Sequence, residues 1–559
     1  MYNERSQRLT HADTIRRQTS ISNLKNGSFH DYIVVGAGTA GSVLTNRLTA
    51  SGDYNVLVIE AGGPAPMEAE LAGLYAYLPD SKYDYNFTSV PDEYTAQYIQ
   101  GGRITLTQGK MLGGSSSLAH HVHRRGNPHD YDSWAEILNC SDWKYENILP
   151  YFKKAEKLVD KDFLATRYAK QYGTDGLIKI TRERDPGNED ILAAFAELGH
   201  NVDDDVVLGF NEPLMSNADN LRQSTAVTYL SEAKSRPNLC VAINTMATKI
   251  LIKGGKAIGV QVTNPNGDTQ VHYAKKEVIV CAGTINSPKL LMLSGIGPKN
   301  HLESLGIDVV ADLPVGKNFL DQATAILTYN LESNSSPPPP TNPFKFPVPM
   351  TTGYVALDPE QPYPDCQSFN LRIPAKSSGL LELCSKLFKF TNSFCDRLYS
   401  ATEGRNTLMS CITLLKPNSQ GEILLASSDP NDSPLIYTRT YSQNSDLELV
   451  AACMKDHNKV IDTAIFKSLN ATLVDVGMCK DETSNEEFWE CLALDSTSST
   501  MHIAGTNAMG LVLDYDLKVK GVKGLRVIDA SSMPTLTTGN PHADVLMIAE
   551  RGAEYILTK

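Results

Sequence analysis

The fold is decided by residues 30–63, which read HDYIVVGAGTAGSVLTNRLTASGDYNVLVIEAGG. Residues 32–35 form a short apolar run rich in β-branched side chains, which predicts a buried parallel strand. After three glycines the apolar residues recur with helical spacing over 42–48, and residues 55–59 predict a second buried strand. This order of strand, turn, helix and strand is typical of an α/β Rossmann-type domain.

The glycine spacing in this stretch points to a dinucleotide ligand. Gly36 permits a tight turn, Gly38 lets backbone N–H groups reach a pyrophosphate, and Gly41 lets the helix pack closely on the strand. The helix N-terminus would face the anion, and Glu60, at the end of the second strand, would accept a hydrogen bond from a ribose hydroxyl. An acidic residue at this position favours FAD or NAD over NADP.

Length and charge narrow the class of protein. A chain of 559 residues exceeds the ~250–300 residues at which one core usually splits, so we expect two domains. The net charge of −13 would repel phosphate backbones, which argues against a nucleic-acid partner. The sequence contains no apolar run of membrane-spanning length, so we expect no membrane span.

The features that bear on cellular compartment leave it open. Residues 1–28 are polar and contain no apolar signal segment, and a flexible extension is expected there. A secreted protein whose leader had been removed would look the same. Six Asn-x-Ser/Thr sequons lean only weakly toward secretion. The ten cysteines include no Cys-x-x-Cys pair, so neither a zinc site nor a redox motif is indicated.

Three distant segments extend the pattern. Residues 109–118 (GKMLGGSSSL) form a backbone-rich loop, residues 277–298 (EVIVCAGTINSPKLLMLSGIGP) predict a strand turning into a helix, and residues 524–556 predict a strand, a loop and a helix. With these motifs the chain resembles the glucose–methanol–choline (GMC) flavoprotein oxidoreductases from Asp31 to Ile556. Its N-terminal half looks most like the insect branch, which includes glucose dehydrogenases and ecdysone oxidases.

The resemblance implies FAD as the cofactor. Some members bind the flavin covalently through a histidine, but Leu118 stands at the matching position and cannot form such a bond, so the FAD is expected to be noncovalent. The expected cofactor contacts are Gly36, Gly38, Thr39, Ala40, Gly41, Glu60, Ala61, Gly109, Gly113, Gly114, Ser115, Ala119, Ala247, Ala282, Gly283, Asp529, Ala530, Pro541 and His542.

The resemblance also implies the domain plan, an α/β FAD-binding Rossmann-type domain plus an α+β substrate-binding domain with an antiparallel sheet. The expected divisions are a flexible extension at 1–30, a first FAD-binding block at 31–325, a substrate-binding domain at 326–495 and an FAD-binding return at 496–559. The proline-rich residues 333–349 (SNSSPPPPTNPFKFPVP) predict a linker or surface loop marking entry to the substrate domain. Within that domain, a strand is predicted over 421–427 and a helix over 445–464.

The implied reaction is FAD-dependent oxidation of a primary or secondary alcohol, a steroid, a sugar or an aromatic alcohol, to a carbonyl. Such a reaction needs a proton acceptor within hydrogen-bond reach of the hydroxyl, besides hydride transfer to flavin N5. By resemblance, His502 in MHIAGTNAMG is the base and His542 in TTGNPHADV assists it. Oxygen or a quinone would reoxidise the flavin. The segment 313–322 carries Gln322 where many members have histidine.

The sequence departs from the family within residues 113–126, GGSSSLAHHVHRRG. Relatives usually carry asparagine where this chain has Ala119, so either a neighbouring imidazole compensates or the oxidation is impaired. The alternatives to alcohol oxidation are therefore a nonredox lyase that cleaves cyanohydrins and a retired FAD- or ligand-binding paralogue.

The histidines that follow raise the question of a metal site. On a strand, His121 and His123 would share one face, and His120 would point away from them. No carboxylate or thiolate accompanies them in sequence, so no metal is expected. Packing, or an active-site role for His120 or His121, remains open.

Overall fold

The computed structural model describes residues 24–92, 94–340, 342–479 and 484–558. Most of the extension predicted at residues 1–30 lies outside this part of the chain, as does Thr341 in the proline-rich stretch.

The first large sheet is built around the glycine-rich turn. Val34 pairs in parallel with Val58 on one side and with Ile279 on the other, at the centre of a layer whose apolar strands are fully buried. The strand order is Leu239–Ala242, Val56–Ile59, Phe29–Val35, Thr269–Val280, Lys256–Thr263 and Met246–Lys253, with Leu525–Val527 also paired in parallel to Thr269–Val280.

Helices cover this sheet as the α/β prediction requires. Thr39–Thr49 begins directly after the glycine turn, and Pro541–Thr558 packs against it. Gly283–Leu293 follows the strand Thr269–Val280. The strand–turn–helix units predicted at residues 30–63, 277–298 and 524–556 are therefore confirmed, and the fold class with them.

The second large sheet is antiparallel, as predicted. Its strand order is Thr472–Leu473, Ala323–Ser333, Arg405–Leu414, Cys366–Ile373, Met350–Val355 and Gly209–Asn211, with Ser498–Ser499 paired to Ala323–Ser333. Gly209–Asn211 belongs to the block predicted at 31–325, so that block contributes an edge strand to the second sheet. The domain boundaries stay a prediction.

Two local predictions for this region need correction. Glu422–Leu424 pairs only with Leu435–Tyr437, in a two-stranded ribbon outside the large sheet. The proline-rich stretch connects Ala323–Ser333 to Met350–Val355, so it lies between strands of one sheet and does not mark entry to it. The helix predicted over 445–464 is confirmed as Asn444–Asn458, which the 3-10 turn Lys459–Asp462 continues.

The remaining elements surround the two sheets. Further helices are Met67–Glu70, Pro128–Leu138, Tyr145–Ala155, Lys161–Leu164, Glu189–Glu197, Ser231–Ala233, Lys299–Ser304, Gly379–Leu381, Asn392–Ala401, Ala464–Ser468 and Asn485–Asp495. Further strands are Phe87–Thr88, Thr105–Leu106, Glu156–Leu158, Ile178–Arg182, Leu214–Met215, Asn217–Ala218, Leu221–Arg222, Ile296–Gly297 and Ala311–Asp312. In the described part of the chain, no helix combines the length and apolarity needed to cross a bilayer.

Disulfide bonds cross-link the second sheet and the helical segments around it. Cys366 on a strand bonds Cys453 on the helix Asn444–Asn458. The other two bonds are Cys384–Cys395 and Cys479–Cys491. Sequence analysis excluded zinc and redox motifs for these cysteines but did not predict their pairing, because the partners meet only in the folded chain.

Candidate active site

A cavity of about 570 Å³ lies where the carboxyl ends of the parallel strands face the second sheet. Each parallel strand is followed by residues that line it: Gly36, Glu60, Thr245, Ala282 and Asp529. Ligands of open α/β sheets bind at this edge, because the strand ends and helix N-termini together form a crevice with free backbone groups.

Two glycine loops meet at one wall of the cavity. A Cβ added to Gly114 would lie 2.7 Å from the Cα of Gly38, and one added to Gly41 would lie 1.9 Å from the carbonyl oxygen of Gly36. A side chain at Gly114 would therefore push the two loops apart, and one at Gly41 would push the helix away from the Gly36 turn. The surface between the two loops is bare backbone at a helix N-terminus, which suits a pyrophosphate.

Glu60 is held at the cavity edge by backbone donors. Its two carboxyl oxygens accept from the amides of Ala37 and Gly62, each at 2.8 Å. Burial raises the pKa of Glu60 to about 7, although these hydrogen bonds and Lys110 oppose the shift. A carboxyl group presented in this way retains lone pairs for a ligand hydroxyl.

Asp529 has a structural role besides lining the cavity. Its Oδ2 accepts from the amide of Gly283 at 2.9 Å and from the hydroxyl of Ser287 at 2.6 Å, and its Oδ1 accepts from Ser531. The carboxylate therefore ties the last parallel strand to the start of the helix Gly283–Leu293.

The structure brings nearly all the predicted cofactor residues to one cavity. Gly41 and Gly113 are the exceptions, since Gly41 packs against the Gly36 carbonyl, and a Cβ on Gly113 would meet Ser117 and Ala226. Those that line the cavity are Gly36, Gly38, Thr39, Ala40, Glu60, Ala61, Gly109, Gly114, Ser115, Ala119, Ala247, Ala282, Gly283, Asp529, Ala530, Pro541 and His542.

His502 lies in the cavity wall with both ring nitrogens engaged. Its Nδ1 is 2.5 Å from Oε1 of Gln322, and its Nε2 is 3.1 Å from Nδ2 of Asn540. Gln322 donates through Nε2 to the carbonyls of Leu415 and Thr537, each at 2.9 Å, so its Oε1 must face the imidazole. This network assigns the proton to Nδ1 and a lone pair to Nε2.

Burial keeps His502 in its neutral form. It lowers the pKa of His502 to about 3, and the neighbouring His120 adds to the effect. A neutral imidazole with its lone pair at the cavity is the form that can accept a proton.

His542 stands at the N-terminus of the helix Pro541–Thr558 and also lines the cavity. Its Nε2 is buried without a protein partner. Its ring lies edge-on to that of His123, with centroids 6.2 Å apart, and burial lowers the pKa of His542 to about 3. His123 in turn bonds Glu156 at 3.0 Å, a carboxylate that also binds Arg125. The fold thus supplies the acidic partner that the local sequence lacks.

The histidine-rich stretch is irregular, so the strand geometry that would point His120 away from His121 does not apply. Val122 forms an isolated bridge with Met215, while His121 has a φ of +68°. The hydroxyl and amide of Ser216 both donate to the His121 carbonyl and hold it in this left-handed conformation. His120 and His121 consequently both line the cavity, and the ring of His120 lies edge-on to Tyr75 at 5.0 Å.

A buried arginine binds the main chain of Ala119, the position where relatives carry asparagine. Arg222 donates to the carbonyls of Ala119 and Ala69, and its Nη2 has no partner although the side chain is 1% exposed. Ala119 therefore has no polar side chain, but its main-chain carbonyl is bound by a cation. Ala119 itself lines the cavity.

The wall contributed by the second sheet is mainly apolar, with Thr324 and Ser499 as polar lining residues. Strands, a loop and the helical turn Glu382–Leu387 all present hydrophobic side chains there. The disulfide Cys384–Cys395 ties that turn to the helix Asn392–Ala401. The apolar lining residues are Phe346, Met350, Phe369, Leu371, Leu383, Leu387 and Phe388.

Sequence analysis missed three residues of this site. Asn540 lies within the motif quoted for His542, and Gln322 was noted only as a departure from the family. Arg222 gave no local signal, because its partners Ala119 and Ala69 lie far away in the chain.

Two family models named GMC oxidoreductase match the chain, the N-terminal model over residues 30–324 and the C-terminal model over residues 417–549. An ecdysone oxidase of Spodoptera littoralis is 36% identical, and the alignment covers 96% of this chain and 92% of that protein. The FAD- and quinone-dependent glucose dehydrogenase of Drosophila melanogaster is 32% identical, covering 95% of this chain and 87% of the relative. Among solved structures, formate oxidase superposes with a TM-score of 0.82 at 23% identity, covering 96% and 99% of the two chains. This last likeness bears on the fold alone.

Proposed function

Because the chain belongs to the GMC oxidoreductase family, it is an FAD-dependent enzyme that oxidises an alcohol, and we propose that His502 is the base of that reaction. The observation that carries the proposal is the network around its imidazole, in which Nδ1–H donates to Gln322 and the Nε2 lone pair faces the cavity, where it accepts from the Asn540 amide. The nonredox alternatives are not favoured, since the relatives above are named as an oxidase and a dehydrogenase.

The residues present fit FAD. The bare backbone between Gly38 and Gly114 suits the pyrophosphate, and Glu60 is placed for a ribose hydroxyl. Leu118 is buried beside this loop and has no nucleophilic atom, so the cofactor is held noncovalently. When bound, FAD accepts the hydride from the alcohol carbon.

The chain's own groups handle the proton. Nε2 of His502 takes the hydroxyl proton, while the Gln322 carbonyl stabilises the imidazolium through Nδ1–H. Asn540 donates to Nε2 in this structure, so a substrate hydroxyl displaces that contact and leaves the amide free to bond the substrate oxygen. His542, neutral and with Nε2 unpaired, is placed to orient the same oxygen.

The substrate is an alcohol with an extended apolar body. The second-sheet wall of the cavity carries aromatic and aliphatic side chains such as Phe369, Leu371 and Leu383, and burial of apolar surface supplies most of the affinity for such a ligand. A steroid of the class named for the Spodoptera littoralis relative fits this wall better than a sugar, whose hydroxyls would lose hydration there without replacement partners. Oxygen or a quinone serves as the acceptor.

His502→Ala tests the base. Anaerobic mixing with an alcohol should bleach the flavin about 10²–10⁴-fold more slowly in this variant than in the wild type. His129→Ala is the matched control, because His129 comes from the same histidine-rich region but is exposed and does not line the cavity. Equal bleaching rates in His502→Ala and the wild type would remove His502 from the mechanism.

A substrate panel tests the apolar body. A hydroxysteroid, a long-chain alcohol, an aryl alcohol and glucose are mixed anaerobically with the wild type at equal concentrations. We expect bleaching with the hydroxysteroid and none with glucose. Leu383→Asn should weaken the response to the steroid by raising its half-saturating concentration. Glucose as the better substrate would overturn the assignment.

A further inference from the structure

The hairpin formed by Asn217–Ala218 and Leu221–Arg222 clamps the cavity loop at residues 119–121. Ser216, just before it, binds the His121 carbonyl, and Arg222, at its end, binds the Ala119 carbonyl. Two carbonyls of this irregular stretch are therefore fixed by side chains that do not themselves line the cavity.

Arg222 differs from the other buried arginines of this region in its partners. Arg125 binds Glu156, and Arg182 binds Asp160 and Asp204, whereas Arg222 binds only carbonyls. In the described part of the chain it forms no ion pair, and its Nη2 has no partner at all. An unpaired buried cation is costly, and such an arrangement persists where the charge serves a function.

Arg222 does not itself line the cavity, but it binds the carbonyl of Ala119, which does. Its charge acts on the imidazoles of His120, His121 and His542 and lowers the pKa of each, in addition to the effect of burial. Those histidines are neutral at neutral pH, so the guanidinium supplies a fixed positive charge behind this part of the wall. Lys110 and Lys289 also line the cavity, but Lys110 lies against Tyr85 and its charge acts on Glu60, and Lys289 binds the Pro430 carbonyl.

We propose that Arg222 is an electrostatic positioning residue that stabilises negative charge on the bound flavin. Hydride transfer delivers two electrons and one proton to the flavin, so it leaves a net negative charge unless a second proton follows. A fixed cation in a low-dielectric wall favours that charged form without reorganising. Arg222, bound to the Ala119 carbonyl, thereby supplies electrostatic stabilisation that the side chain of Ala119 cannot.

Sulfite binding to the holoenzyme tests this without the substrate. Sulfite adds to the flavin through its sulfur lone pair and leaves the ring negatively charged, so its dissociation constant, read from loss of flavin absorbance, reports stabilisation of that charge. Arg222→Gln should raise this dissociation constant at least about tenfold. Burial lowers the pKa of Arg222 to about 9, so a lysine at this site would keep its charge only at mildly acidic pH. With all sulfite titrations run at about pH 6, Arg222→Lys should stay within about threefold. The midpoint potential of the flavin should fall in the Gln variant.

Arg182→Gln is the matched control, because it removes a buried arginine that is paired with Asp160 and Asp204, so its sulfite affinity should equal that of the wild type. Equal sulfite affinity in Arg222→Gln and the wild type would overturn the proposal. So would equal weakening in the Gln and Lys variants, since that would assign a purely structural role. If the Gln variant does not fold, sulfite titration of the wild type is the test. A wild-type flavin that keeps its absorbance at up to about 0.1 M sulfite would contradict a stabilised anion.

Discussion

The imidazole Nδ1 of His502 lies 2.5 Å from Oε1 of Gln322, a residue 180 positions earlier in the chain. Gln322 is fully buried, and its amide nitrogen is consumed by the carbonyls of Leu415 and Thr537. The glutamine therefore acts only as an acceptor toward the imidazole, and this one contact determines which nitrogen of His502 faces the cavity as a base.

Gln322→Leu should slow flavin reduction about 10–100-fold, because the imidazole loses the partner that selects its tautomer and stabilises its charged form. Stopped-flow bleaching with a saturating alcohol measures this rate. Gln322→Glu is the informative companion, since a carboxylate at Nδ1 would raise the pKa of His502 and move the acid limb of the rate profile to higher pH. Unchanged rates in both variants would show that the contact has no catalytic consequence.

Gly114→Ala should abolish or strongly weaken FAD binding. The new Cβ would lie 2.7 Å from the Cα of Gly38, so the two loops that face the cofactor must separate. Gly254→Ala is the matched control, because Gly254 has a φ of +56° against +52° for Gly114 and open space around it. Both variants bear a similar backbone cost of about 1 kcal/mol. Flavin absorbance per protein after gel filtration should fall only in Gly114→Ala.

Ala119→Asn should change the rate of flavin reduction by less than about tenfold. The Ala119 carbonyl is already fixed by Arg222, so the wild-type loop is held in place without a polar side chain at this position. Anaerobic bleaching of the two proteins with the same alcohol gives the ratio. An inactive wild type that Ala119→Asn restores would mean that this departure from the family has disabled oxidation.

The buried His457 should make the free energy of unfolding depend on pH. Burial lowers its pKa to about 3, and its Nε2 has no partner in the aromatic cluster with Phe195 and Tyr329. Between that value and the ordinary 6.5 the unfolded chain binds a proton that the folded chain does not, so this residue destabilises the fold as pH falls. The slope is roughly 1.4 kcal/mol per pH unit.

His457→Phe removes that titration. The free energy of unfolding of the variant minus that of the wild type should therefore increase as pH is lowered from 6.5 toward 4, measured by urea unfolding at each pH. A difference that stays constant with pH would contradict the burial of a neutral imidazole at this position.

Local patterns determined the nucleotide-binding half of the fold. The glycine turn, the buried strands on either side of it and Glu60 follow from residues adjacent in sequence, because steric freedom at glycine and the period of apolar side chains act over a few positions. For the same reason the strand–turn–helix units at Gly283 and Asp529 could be predicted, and the structure places them at the same sheet edge.

Tertiary structure decided the surroundings of the reactive groups. Residues 119–121 do not form a strand, because Ser216 and Arg222 bind their backbone carbonyls in an irregular path that no pattern within residues 119–123 reveals. Gln322 at His502 and Glu156 at His123 are likewise contacts between distant segments. The free energy of such contacts depends on burial and on exact distance, and these quantities exist only once the two sheets have packed around the cavity.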